Sequence, residues 1–555
     1  MTGRRRARTA DGKPIPSTHP FLGSRSPAEH VVHVSFAARA ATGGEFVDYA
    51  VRYGAVRDDE DAVTLHEGCM RALGHHTGRA ARLACVADIL STPSSADQAK
   101  PGAPTESERA AGRAAHQCIM DTAPLLRLDR PPPAEESNGD MAALLHTPLI
   151  RLSNGQMRRA RLLEALVRCR LSPAADSTIL VLSQPYNGLD PPTRSLLSSI
   201  LSDRHCASDP RIVLFLRVQD ELPAYITHVA QVRDDGSVQA GPRALVQQQR
   251  DQDSQGGYEL LKQNAAQALP DTNEPLVSLN GVDIKYVGKS ALESIALDIH
   301  RGARMVLAGY NGSGKSTLLS LILGDHPQSF ALPEQKLSLF GKARDAPGNA
   351  TLLLARRIGH VSPELFNAFP RKDTERGGMT VGEAIGSGYA GVFSRRPLDD
   401  QQKARIWRLL AAFQDVIDAP DSDTSRQSSR SGGPGLDDPL AQAKRLASAS
   451  FAAMSLGSQS IVLLLRAIVH GPKLLILDEP FQHQSARQVE RARAFLDEPE
   501  AYAIGETEQE RAQDAEARRA MSLILVSHYE AEWPRSMNAL LRLEAGQVSE
   551  RIGQC

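Results

Sequence analysis

The sequence predicts an α/β protein of two related units, the second complete and the first lacking its opening part. Three observations carry this expectation. The first is a set of apolar, strand-length runs, each leading into polar or glycine-rich residues and then helical spacing: Ile179–Leu182 and Ile212–Leu216 in the first half, then Met305–Ala308, Leu474–Leu477 and Ser522–Val526 in the second. The second is that the order of elements after Ile179 repeats after Leu474, down to the tails Gln219-Asp220-Glu221-Leu222-Pro223 and Glu530-Ala531-Glu532-Trp533-Pro534. The third is length, because 555 residues exceed what a single core organises.

The run Met305-Val306-Leu307-Ala308 feeds Gly309-Tyr310-Asn311-Gly312-Ser313-Gly314-Lys315-Ser316-Thr317, after which Leu318–Leu323 continues as a helix. This is G-x-x-x-x-G-K-[ST] in the strand–turn–helix setting that the motif needs. Backbone N–H groups and the positive end of a helix dipole are then aimed at an anion. Lys315 is expected to reach the β- and γ-phosphates of a nucleotide, and the Ser316 hydroxyl to enter a Mg²⁺ shell. Leu474–Leu477 ends in Asp478-Glu479-Pro480. Two adjacent carboxylates at the end of a buried strand are costly without a task. Beside a triphosphate, Asp478 would hold Mg²⁺ through water and Glu479 would polarise the attacking water as general base. The strand Ser522–Val526 with Ser527 delivers His528 to the same sheet edge, where a γ-phosphate sensor belongs.

These residues resemble the nucleotide-binding domain of ABC ATPases. The resemblance implies two fused ABC-type P-loop NTPase domains, each a mostly parallel sheet core with a helical subdomain. In that family ATP lies between two domains arranged head to tail. One supplies the loop, the carboxylates and the histidine; the other supplies an LSGGQ-type signature and a D-loop. Tyr286 matches the aromatic that stacks on adenine. Leu152-Ser153-Asn154-Gly155-Gln156, followed by Met157-Arg158-Arg159, is similar to the signature opening its helix, so Ser153, Asn154, Gly155 and Gln156 would face the γ-phosphate from the opposite side. The strand Ile179–Leu182 then runs into Ser183-Gln184-Pro185 where Asp-Glu-Pro is expected. Tyr186-Asn187-Gly188-Leu189-Asp190 matches an intact D-loop, and Arg217 stands where the switch histidine would be.

The losses divide cleanly. The first half lacks what a domain uses on its own nucleotide and keeps what it lends, Ser153–Gln156 and Asp190. The second half keeps the loop, carboxylates and histidine, while its signature reads Ser455-Leu456-Gly457-Ser458-Gln459 and its D-loop Phe481-Gln482-His483-Gln484-Ser485. One composite site is expected, with the two domains as an intramolecular pair, and a second, dead one. A chain shortened at its N-terminus would account for the missing loop but not for Ser183-Gln184 or Arg217. Pro363, in Val361-Ser362-Pro363-Glu364, replaces the Q-loop glutamine of transporter domains and puts coupling to a membrane domain in doubt. This stretch, Gly386–Tyr389 and the Ser527–Pro534 ending are similar to soluble tandem ABC ATPases, the bacterial molybdate-import and photorepair types and their fungal relatives.

Net charge is −1, so nothing pulls the whole chain toward nucleic acid. The six cysteines show no C-x-x-C spacing, which argues for a reducing compartment and against zinc or iron–sulfur sites. No run of eighteen apolar residues occurs, as a transmembrane helix requires. Residues 1–28 form a basic tail, read either as disordered or as an organelle presequence, and leave open the cytoplasm or the mitochondrial matrix. Residues 29–240 form the degenerate domain, 241–274 a polar linker and 275–553 the intact domain. Insertions lie near 421–438 (a disordered loop) and 503–520 (an exposed, charged helix). Three readings of function remain: a soluble Mg-ATPase moving an unknown protein client, a nucleotide-binding module with little turnover, and an ATPase subunit of a separate membrane transporter or translation-type factor. Glu479 and His528 favour the first over the second, and Pro363 disfavours the third.

Overall fold

The computed structural model describes residues 30–36, 63–73, 105–129, 144–149, 152, 154–172, 175–186, 189–206, 210–217, 220–232, 238–244, 257–266, 275–286, 289–393, 395–417 and 439–553. The basic tail and the 421–438 insertion lie outside them. The chain divides into two compact units, Met1–Arg243 and Ala244–Cys555.

The first unit contains β1 (Val31–Ser35), α1 (Leu65–Ala72), α2 (Glu106–Thr122), α3 (Asn154–Leu171), β2 (Ile179–Ser183), α4 (Pro191–Cys206), β3 (Arg211–Phe215) and the hairpin β4 (His228–Val232) and β5 (Val238–Pro242). β1, β2 and β3 form a parallel sheet in that order, Val31 facing Ile179 and Ile179 facing Arg211. Leu180, Leu182 and Ile212 pack with Ile119, Leu162, Leu163 and Leu166 of the helices into one core. The hairpin pairs with itself alone among the described residues.

The second unit contains α5 (Gly257–Ala265), β6 (Val277–Tyr286), β7 (Lys289–Ile299), β8 (Arg304–Gly309), α6 (Lys315–Leu323), β9 (Leu337–Leu339), β10 (Lys342–Ala343), β11 (Ile358–Val361), α7 (Pro363–Ala368), α8 (Val381–Gly386), α9 (Asp400–Ala411), α10 (Pro439–Ser448), α11 (Leu456–Ile468), β12 (Leu474–Asp478), α12 (Ala486–Asp497), α13 (Glu508–Arg519), β13 (Ser522–Val526), β14 (Ala539–Glu544) and β15 (Gln547–Ile552). The main sheet runs β11-β12-β13-β8-β14-β15, parallel from β11 to β14 and closed by an antiparallel hairpin. A second, antiparallel sheet has the order β10-β9-β6-β7. The continuous apolar runs have one cause: both sheet faces are covered. Leu475, Leu477, Leu523 and Leu525 enter the core shared with the helices, and Leu474, Ile476, Ile524 and Val526 the core under the antiparallel sheet.

Set side by side, β1-β2-β3 repeats β11-β12-β13 and β4–β5 repeats β14–β15. The helical parts agree as well. Thr64 and Thr380 each close a capping box at the start of α1 and α8, and each bridges a residue shortly before the next long helix, Pro148 before α3 and Ser450 before α11. Among the elements with no counterpart in the described residues of the first unit is β8, the strand that joins β13 to β14. The physical trace of that difference is burial. All five residues of β13 are buried, whereas Arg211 and Phe215 of β3 are exposed, Phe215 at 47%.

Candidate nucleotide site

The loop after β8 is shaped by its glycines. Gly309, Gly312 and Gly314 have φ of 144°, 82° and 102°. A Cβ on Gly309 would lie 2.4 Å from the Leu543 carbonyl oxygen, and one on Gly314 would lie 2.7 Å from that of Ala291, so side chains are excluded by both conformation and contact. Gly314 is the N-cap of α6 and offers no side chain to the first N–H groups, which an anion could then take. Lys315 is buried, and its Nζ donates to the carbonyls of Gly309 and Tyr310, both at 2.8 Å. Ser313 Oγ is buried without a hydrogen-bond partner. Asn311, Gly312 and Ser316 are exposed and Thr317 is half-buried.

Asp478 ends β12 opposite Val526 of β13. Glu479 follows with φ 46°, a left-handed turn, and its N–H donates to the Val526 carbonyl at 2.9 Å. That turn brings the carboxylate to His528, whose Nε2 is 3.3 Å from Oε1, while the side-chain amide of Gln482 donates to Oε2. Burial pushes the Glu479 carboxyl up, but His528, Gln482 and Lys315 outweigh it and hold it below the usual range. Sequence reasoning missed Gln482, because nothing in an altered D-loop marks a contact three residues back.

Tyr286 ends β6, is 41% exposed, and has its hydroxyl 2.9 Å from His326 Nε2. His326 Nδ1 accepts from the Gln328 N–H, and burial lowers the ring's pKa. The neutral ring therefore carries its proton on Nε2 and donates it to Tyr286. Pro363 has a local explanation: Ser362 caps α7 by accepting from the Leu365 N–H at 3.2 Å, and proline fits the first helical position.

In the first unit, Gln184 has φ 54° and its N–H donates to the Phe215 carbonyl at 2.8 Å, the same turn that Glu479 makes. The left-handed turn that carries Glu479 persists here without a carboxylate. Arg217 is buried against Asp220, which meets its guanidinium at 3.2 Å and its backbone N–H at 2.9 Å. Gly155, second in α3, lies where a Cβ would be 2.9 Å from Thr193 Cγ2, and Gln156 is buried. Asp190 is buried and its Oδ1 accepts from the Thr193 N–H at 3.1 Å, so it caps α4, as Ser485 caps α12 in the other unit. Ser153 and the side chain of Asn154 lie outside the described residues. A further parallel was not legible beforehand. Arg158 Nη1 donates to the Pro185 carbonyl at 3.2 Å, and Ser460 Oγ donates to the Pro480 carbonyl at 2.9 Å, each tying the signature helix to the strand end.

Among the described residues no group of three His, Cys, Asp or Glu side chains could hold a metal, and no helix is long and apolar enough to cross a membrane.

Residues 292–482 match the family model described as ABC transporter. The chain is 32% identical over 415 residues to an uncharacterised ABC transporter ATP-binding protein of Schizosaccharomyces pombe, covering 74% of this chain and 71% of that one. It is 30% identical over 369 residues to the ABC transporter ATP-binding protein ModF of Escherichia coli, covering 64% of this chain and 66% of that one. An uncharacterised ABC transporter ATP-binding protein of Saccharomyces cerevisiae is 28% identical over 389 residues, with 65% and 66% covered. With an α/β fold, a glycine-shaped phosphate loop and a paired carboxylate and histidine at one sheet edge, the chain belongs to the ABC transporter ATP-binding proteins.

Proposed function

We propose that the protein binds and hydrolyses ATP at one composite site, and that this drives a conformational change between its two domains on behalf of an unknown protein client. The observation that carries this reading is the contrast between the two halves. Glu479 and Gln184 share one left-handed turn, yet only Glu479 has a carboxylate, held by His528 and close to Lys315.

The residues present fit the substrate and its metal. Lys315 is parked on its own loop's carbonyls and can exchange them for phosphate oxygens. Ser313 Oγ lacks a partner, and Asn311, Gly312 and Ser316 of the loop are exposed. Ser316 and Asp478 supply hard oxygen donors, as suits Mg²⁺, which keeps waters and substrate phosphates among its ligands. Held there, the metal would supply positive charge to offset the charge developing on the phosphate during transfer. Glu479 would orient and deprotonate a water for in-line attack, and His528 would hold Glu479 and sense the γ-phosphate. Tyr286, its hydroxyl fixed by His326, would offer its ring to adenine.

From the other domain, Ser153, Asn154, Gly155, Gln156 and Asp190 would complete the site. Asp190 already caps α4, which fixes that helix start whether or not it also meets the partner domain. A cytoplasmic or mitochondrial-matrix location accords with the basic tail and the cysteine pattern. Two other readings have less support: a nucleotide-binding module with little turnover, which Glu479 and His528 oppose, and a subunit of a separate membrane transporter, which Pro363 opposes.

The test is steady-state Mg-ATP hydrolysis by the full chain beside Gly155→Asp, with ATP affinity and thermal stability measured for both. The new side chain would meet Thr193, so stability separates misfolding from loss of function. Turnover by the wild type, and binding without turnover by a folded variant, support the composite site. Equal hydrolysis by both removes the first domain from the reaction, and hydrolysis by neither leaves a binding module.

A further inference from the structure

The segment read from sequence as a polar linker contains α5, and α5 is seated on the second unit. Leu261 is 1% exposed within the helical-side core. Tyr258 Oη donates to Glu550 Oε1 at 2.5 Å, and Asn264 Nδ2 donates to the carbonyls of Arg535 and Met537 at 2.7 and 3.0 Å. The N-terminal end of α5 meets a different element. The Tyr258 N–H, one of the first-turn donors that a helix leaves unsatisfied, donates to Glu530 Oε2 at 3.3 Å. Gly257 lies so close that a Cβ would come within 2.9 Å of the Glu530 carbonyl oxygen. Glu530 is the second residue after His528. The rest of that loop is fastened by Ser527 Oγ donating to the buried Glu532 at 2.5 Å and, at the surface, by Arg493 Nη1 donating to the Ala531 carbonyl at 2.7 Å.

We infer that α5 is a positioning element for the histidine loop: Gly257 and Tyr258 hold Glu530 in place, and through it His528 and its 3.3 Å contact with Glu479. The inference rests on the role given to His528 above. Neither Gly257 nor Tyr258 touches the reacting atoms; each acts through the loop.

The experiment uses the full chain with Gly257→Val, which drives a side chain into the Glu530 carbonyl, and Tyr258→Phe, which removes only the anchor to Glu550. Amide hydrogen exchange over residues 527–533 reads the loop directly. At least tenfold faster exchange in Gly257→Val, and a smaller increase in Tyr258→Phe, are expected. Turnover should fall several-fold with Mg-ATP affinity unchanged. In a His528→Ala background, Gly257→Val should cost no further turnover, since the two act in series. Unchanged exchange, or an equal loss of turnover with and without His528, overturns the inference. If His528→Ala alone turns over like the wild type, the role given to the histidine fails, and the exchange result still decides whether α5 holds the loop. Should Gly257→Val not fold, Tyr258→Phe carries the same comparisons.

Discussion

Replacing Glu479 with glutamine separates binding from hydrolysis, and the first unit indicates why the change is tolerated. Gln184 occupies the equivalent turn at φ 54°, beside φ 46° for Glu479, so this backbone accepts glutamine. An amide oxygen can still accept from Gln482, and the size of the side chain is kept. The charge lost is one that burial opposes but that His528, Gln482 and Lys315 outweigh, so stability should fall by about 1–3 kcal/mol, as for a lost hydrogen bond to a charged group. Hydrolysis is another matter. Without a general base the rate should fall by about 10²–10⁴, or roughly 3–5 kcal/mol in barrier height. Lys315 and the glycine loop are untouched, so Mg-ATP affinity should hold. Phosphate release under steady state and Mg-ATP titration by calorimetry give both numbers. A variant turning over within threefold of the wild type, or one that loses ATP affinity along with turnover, would refute the assignment of Glu479.

Lys315→Ala removes two charge-assisted hydrogen bonds to loop carbonyls; it should cost about 2 kcal/mol in urea denaturation and lower ATP affinity by at least about tenfold. Asp220→Ala breaks a pair in which Arg217 and Asp220 side chains are 6% and 1% exposed, and should destabilise the first unit by about 3–5 kcal/mol, read from its own unfolding transition. His360 and His470 are pushed down to about 4, chiefly by burial and also by Arg466. With folded values below the unfolded 6.5, the unfolded chain binds more protons between pH 6.5 and 4. Stability is therefore retained above pH 6.5 and lost as the pH falls through that window, and His470→Leu should flatten the slope of urea midpoint against pH.

Much of the site was legible because its chemistry is local. A glycine that must turn left-handed, a lysine directly after it and carboxylates at a strand end announce themselves within a few residues. The two dissimilar halves of the first unit's loss, Ser183-Gln184 and Arg217, were visible for the same reason. Other parts were not. β1 pairs with β2 across about 150 residues, His33 Nε2 lying 2.9 Å from Ser183 Oγ, and no periodicity in Val31–Ser35 announces such a partner. The α5 segment is rich in polar residues and reads as linker; only burial of Leu261 and its contacts with residues more than 270 positions away make it part of the second unit.

The sequence by itself determined which residue types stand at the phosphate loop, the strand ends and the helix starts, since each motif is a short run whose backbone geometry follows from its own glycines, prolines and caps. Tertiary structure decided what those residues touch. That Gln184 keeps the turn of Glu479, each N–H meeting a carbonyl of the next strand, and that His528 meets the Glu479 carboxylate both depend on neighbouring strands fixing the ends of separate segments. Strand pairing is a long-range choice made by the whole core, and a local reading of residues does not contain it.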